Sequence, residues 1–119
     1  MKTEKQREIR FLQRESALLR AVSKLIVQLN KEIKSLLKIS ITEVKLSKDL
    51  SIAKIFLYSS FGKEAVEEAI KDLIPYLPSI KNSLPVLTEL RRVPNLRLVY
   101  DEQRDKINHI ESILDSVKN

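Results

Sequence analysis

Two runs rich in β-branched and aromatic residues, 38–46 and 52–58, stand five residues apart in a chain whose other apolar side chains recur at helical spacing. The first, Lys38-Ile39-Ser40-Ile41-Thr42-Glu43-Val44-Lys45-Leu46, alternates in polarity. The second, Ile52-Ala53-Lys54-Ile55-Phe56-Leu57-Tyr58, is apolar on almost both faces. Between them, Ser47-Lys48-Asp49-Leu50-Ser51 is turn chemistry, because Asp and Ser side chains bond nearby backbone. The pattern predicts an antiparallel hairpin whose second strand is central, with one face under helices.

The flanking segments supply those helices. Upstream, Phe11, Leu18, Val22, Leu25, Leu29, Ile33 and Leu36 mostly follow steps of three, four or seven, which predicts one long helix over about 6–36. Downstream, Ser59 or Ser60 can cap a helix starting near Gly62, with Ala65, Val66, Ala69, Ile70 and Leu73 inward. Pro75 ends it, and Pro78 suits the first turn of the next helix. That helix carries Ile80, Leu84, Leu87 and Leu90 on its apolar side, and Pro85 inside it predicts a bend or a restart. Leu96 to Tyr100 reads as a short strand. Asp101 can cap a last helix over about 102–118, with Ile107, Ile110, Leu114 and Val117 on one side. The order is α-β-β-α-α-β-α, an α+β fold with a three-stranded sheet in one domain over 1–119.

Composition removes most catalytic chemistry. The 119 residues contain no cysteine, one histidine (His109) and one glycine (Gly62). Thiolate nucleophiles, Cys- or His-rich metal sites and glycine-rich phosphate loops are therefore excluded. No nucleophile–base–orienter set is legible, so the chain reads as no enzyme, with no cofactor and no metal. No run approaches 18 apolar residues, and the charged start Met1-Lys2-Thr3-Glu4-Lys5 leads into no apolar h-region. The expectation is a cytoplasmic protein with no membrane association.

Charge is the remaining signal. The formal net charge is +6, and residues 1–38 carry ten Lys/Arg against four Glu. Residues 45–54 and 81–97 are also locally basic, whereas 62–72 and 101–119 are net acidic. A field segregated this way steers a polyanion to one side of the molecule. Ordinary solvation of a surface explains the same composition, so charge alone leaves both readings open.

Three stretches sharpen the reading. Val44-x-Leu46-Ser47-x-Asp49-Leu50-x-x-Ala53-Lys54-Ile55 resembles the first hairpin of the ribosome-binding factor A family. Arg91-Arg92-Val93-Pro94-x-Leu96-x-x-x-Tyr100-Asp101 resembles that family's turn into its last strand. Ile107-x-x-Ile110-Glu111-x-Ile113-Leu114 is similar to its closing helix. The resemblance spans about Arg10 to Val117 and implies a type II KH-like fold. It also implies an assembly factor that binds the immature small ribosomal subunit and its rRNA late in maturation; a monomer is expected, because nothing in the sequence suggests an obligate dimer. Growth in the cold is an associated theme. One departure stands out: Tyr76-Leu77-Pro78 occupies the place where the family resembles KH domains with Ala-x-Gly at a kink.

On that reading the RNA-binding residues are Lys45, Lys48 and Lys54 around the hairpin, Lys81 and Asn82 beside the bend, and Arg91 and Arg92 at the turn. Arg suits bidentate phosphate contact, and an Asn amide donates to phosphate or base edges. Arg20, Lys24, Lys31, Lys34 and Lys38 form an additional basic face of the long helix. Arg97 is expected to point from a strand into solvent. Tyr76 either stacks on a base or covers the core edge. His109 is expected on an exposed helix surface. The alternative is a protein–protein adaptor whose long basic helix docks an acidic partner.

Overall fold

The computed structural model describes residues 3–117, with side chains described as far as Asp115. Lys2, counted above in the basic segment, and residue 118 of the expected last helix lie outside the described residues, as does the side chain of Val117.

Helix α1 spans Glu4–Leu29. Thr3 starts it with a capping box: its hydroxyl accepts from the Gln6 N–H at 3.2 Å, and the Gln6 side chain accepts from the Thr3 N–H at 3.0 Å. Its inward stripe of Leu18, Ala21, Val22 and Ile26 is buried. The helix stops short of the expected boundary near residue 36. The Asn30 N–H closes the last turn on Ile26, and Ile33 is extended at φ −112° and ψ 97°. A 3-10 segment, Lys34–Lys38, follows. Leaving the helix lets Ile33 and Leu36 enter the core and lets the buried Ser35 hydroxyl donate to Asp72 at 2.7 Å. Burial of Ile33 and Leu36 thus outweighs the local helical period.

Strands β1 (Ser40–Leu46) and β2 (Ile52–Tyr58) pair antiparallel, with a register shift between Ile41 and Glu43. Strand β3 (Asn95–Tyr100) pairs parallel to β2, so the sheet order is β1-β2-β3 with β2 central. Ala53, Ile55 and Leu57 alternate into the core and are fully buried. The intervening Lys54, Phe56 and Tyr58 face the open side.

Helix α2 spans Lys63–Leu73 and buries Val66, Ala69 and Leu73. Gly62, not Ser59 or Ser60, is its N-cap residue; at φ 106° it holds a conformation that L side chains rarely adopt. Ser59 acts one turn earlier, its hydroxyl accepting from the Phe61 N–H. A 3-10 turn, Ile74–Tyr76 with Pro75, links α2 to α3 (Leu77–Thr88). Helix α3 runs through Pro85 without restarting. Pro85 is exposed, where water can serve the carbonyl that loses its partner. Helix α4 spans Glu102–Val117, and Asp101 caps it by accepting from the Arg104 N–H at 2.9 Å. The element order is therefore the one expected of a type II KH-like α+β fold, with α1, α2 and α3 on one face of the sheet.

Candidate nucleic-acid interface

Because β2 and β3 run parallel, their first residues share one end of the molecule. The hairpin turn joins them there: the Asn95 N–H donates to the Ser51 carbonyl at 2.8 Å. Asp49 organises that turn. Its carboxylate accepts from the Ser51 and Ser47 hydroxyls, each at 2.7 Å, and from the Ser51 N–H at 3.1 Å. Those hydrogen bonds, from Ser51 first and then Ser47, hold its pKa down at about 2. Leu50 takes a left-handed conformation at φ 63° to complete the turn. Lys48 stands exposed at the tip. Glu15 of α1 accepts from the Leu46 N–H at 2.7 Å and pins the hairpin to the long helix.

The second central helix reaches the same end. Lys81 Nζ donates to Asn95 Oδ1 at 2.6 Å, so its ammonium sits at the start of β3. Asn82 is exposed beside it. The turn 89–94 returns the chain from α3 to β3, with Glu89 left-handed at φ 59° and Pro94 fully buried. Pro94 anchors the turn, leaving Arg91 and Arg92 exposed. Among the described residues neither arginine makes a hydrogen bond or an ion pair. Lys48, Lys81, Arg91 and Arg92 are thereby gathered from three separate segments.

Lys45 and Lys54 face solvent from the open side of the sheet, paired directly across β1 and β2. Arg97 pairs with Lys54 from β3. Arg97 does face solvent, as expected, but in line with two lysines. No sequence pattern announces the parallel register that puts it there.

The expected basic helix face divides. Arg20 and Lys24 are exposed on α1 beside Leu87, near the end of α3. Lys31 falls in the turn after α1, and Lys34 and Lys38 belong to the 3-10 segment held to α2. Lys38 Nζ lies 5.8 Å from the Phe61 ring centroid, beside the start of α2. Helix α1 still carries six Lys/Arg against three Glu, so the adaptor reading keeps a basic helix that ends at Leu29.

Acidic groups gather where β2 and β3 end. Helices α2 and α4 both begin there, and each carries four Asp/Glu against two Lys/Arg. Glu64, Glu67 and Glu68 are exposed, while Asp72 is bound by Ser35. Tyr100, at this end, has its phenol pKa raised by burial and then by the Asp105 carboxylate. The sheet axis thus runs from a cationic end to an acidic one.

The family model described as Ribosome-binding factor A matches residues 10–114. The chain belongs to the ribosome-binding factor A family. It is 30% identical over 112 residues to the Ribosome-binding factor A of Ureaplasma urealyticum, covering 93% of this chain and 94% of that one. It is also similar to the crystal structure of ribosome-binding factor A from Thermus thermophilus, with a TM-score of 0.66 and 27% identity over 76% of this chain and 94% of that one. The Thermotoga maritima solution structure of a putative ribosome binding factor A shares the fold, at TM-score 0.57 and 18% identity over 75% and 88% of the two chains.

Within this ribosome-binding factor A family member, the Tyr76-Leu77-Pro78 bend is helical backbone, with Leu77 at φ −56° and ψ −41°. Pro75 and Pro78 make the bend that a small-residue kink would otherwise make. Tyr76 is half-buried, packed on the core, and lines a groove of about 320 Å³ together with Leu25, Leu29 and Ile80. Tyr76 therefore covers the core edge. His109 is exposed on α4, as expected. No helix among the described residues is long and apolar enough to cross a membrane.

Proposed function

We propose that this protein binds the immature small ribosomal subunit through its rRNA and assists late rRNA maturation without catalysing a reaction. Binding rests on shape and phosphate contact, with Lys48, Lys81, Asn82, Arg91 and Arg92 at the cationic end as the principal contacts. Arg20 and Lys24 extend that surface along α1. Folded RNA offers phosphates and 2′-hydroxyls more readily than base edges, and unpaired arginines at a rigid turn suit that target. The observation that carries this reading is the convergence of four cations at one end of the sheet, with acidic helices starting at the other.

The test is sucrose-gradient fractionation of cell extract. The protein is expected to run with small subunits and not with translating ribosomes. Replacing both Arg91→Glu and Arg92→Glu is expected to abolish that co-sedimentation while the thermal melt stays the same, since both side chains are exposed and unpaired. Binding that survives the reversal overturns the site.

A further inference from the structure

The open face of the sheet carries a feature that the cationic end does not explain. Lys45 stands opposite Lys54, and Lys54 opposite Arg97, so three cations cross the three strands in one row. Neighbouring strands lie about 4.8 Å apart, and like charges directly opposite destabilise a sheet. Only Lys45 has a counter-ion among the described residues, Glu43 at 3.9 Å, with both side chains about half exposed. Among the described residues, none forms an ion pair with Lys54 or Arg97. A sheet that needed only solubility would alternate the signs.

The adjacent row is of another kind. Phe56 pairs with Glu43 on one side and Val99 on the other. The Phe56 ring centroid is 5.8 Å from Lys45 Nζ. Phe56, Val99, Glu43 and Lys45, with Glu102 and Gln103 from the first turn of α4, line a groove of about 450 Å³. Cations, a half-buried ring and a groove therefore occur side by side on one face.

We propose that this face is a second RNA subsite, taking a single-stranded segment with its phosphates on Lys45, Lys54 and Arg97 and a base stacked on Phe56. The choice of RNA as ligand rests on the function proposed above. The face itself is distinct from the Arg91–Arg92 turn. A duplex hides the flat surfaces of its bases, so only an unpaired nucleotide can use the ring. Glu43 and Glu102 repel phosphate and accept hydrogen bonds from exocyclic amines. They orient the strand with its backbone on the cation row and its bases toward α4. Cytosine, with its N4 amine, is therefore the base chosen as a probe.

Fluorescence anisotropy of labelled octacytidylate, with amide chemical shifts read in parallel, tests the proposal. The largest shifts are expected at Lys54, Phe56 and Arg97. Lys54→Glu with Arg97→Glu is expected to reduce the slope of log affinity against log salt by about two. Phe56→Leu is expected to weaken binding about tenfold with that slope unchanged. Arg91→Glu with Arg92→Glu is expected to weaken the oligonucleotide less than the sheet-face reversal does, and to leave the shifts at Lys54, Phe56 and Arg97 in place. The double reversal makes the 45–54 contact attractive and leaves 54 and 97 like-charged, so its melt should change little. Absence of binding, shifts confined to residues 89–94, or equal affinity for an RNA duplex of the same length overturns the subsite and leaves subunit binding standing. Binding on the sheet by a protein that never runs with small subunits supports the subsite and overturns the proposed function instead.

Discussion

Helices α1 and α4 carry the same kind of apolar stripe and end up in opposite states. Each starts from a side-chain cap, the Thr3–Gln6 box in one and Asp101 in the other. In α1 the stripe is core: Leu18 is 0% and Val22 1% exposed. In α4 the stripe stays in solvent, with Ile107 at 49%, Ile110 at 56% and Leu114 at 55%. The period is not what separates them. Helix α1 lies along β1 and α3, whereas α4 leaves from β3, an edge strand, after α1, α2 and α3 have already covered the helical face of the sheet. Amphipathic spacing says which side of a helix is apolar; the topology decides whether anything is there to cover it.

The comparison breaks most directly at the buried stripe. Leu18→Ala is expected to cost about 2–5 kcal/mol, because a fully buried leucine leaves a cavity that its neighbours fill only in part. Urea denaturation followed by circular dichroism measures it. A loss below about 1 kcal/mol would mean that α1 is not the lid of the core and that the contrast with α4 is false.

Much of this fold is readable in the sequence because its signals are local. The Ser47–Ser51 turn, the bounds of β2, the proline-made joint between α2 and α3 and the Asp101 cap each rest on residues a few positions apart. What escapes is set by distant groups. The end of α1 at Leu29 follows from Ser35 bonding Asp72 and from Leu36 entering the core, both across a sequence gap that no periodicity spans. The same holds for the site. Arg91, Arg92 and Lys48 stand out as exposed charge at turns, but the alignment of Arg97 with Lys54 and Lys45 needs the parallel register of β3. The basic face drawn over Arg20 to Lys38 failed for the converse reason: it assumed that a local period continues until something in the sequence stops it.

Asp101 tests the root of α4, where the two helices differ in how they are held. Its carboxylate caps the Arg104 N–H and also accepts from the Thr42 hydroxyl on β1. Asp101→Ala removes both bonds and is expected to cost about 1–2 kcal/mol, with helical signal lost from α4 first. Amide exchange resolves the order: protection should fall in α4 while α1 stays protected. Equal loss in both helices would mean that α4 is integrated with the core after all.

The smallest effect belongs to the exposed stripe. Ile110→Ala removes a side chain that is already more than half in water, and alanine is the better helix former, so the two changes nearly offset. The expected change in stability lies within about 0.5 kcal/mol. The same denaturation experiment as for Leu18 reads it, at two protein concentrations. A loss above about 1 kcal/mol at both concentrations would place Ile110 inside the fold and erase the distinction between the helices. A loss that grows with concentration would instead locate the missing cover of α4 on a second copy of the chain, because only association makes stability depend on protomer concentration.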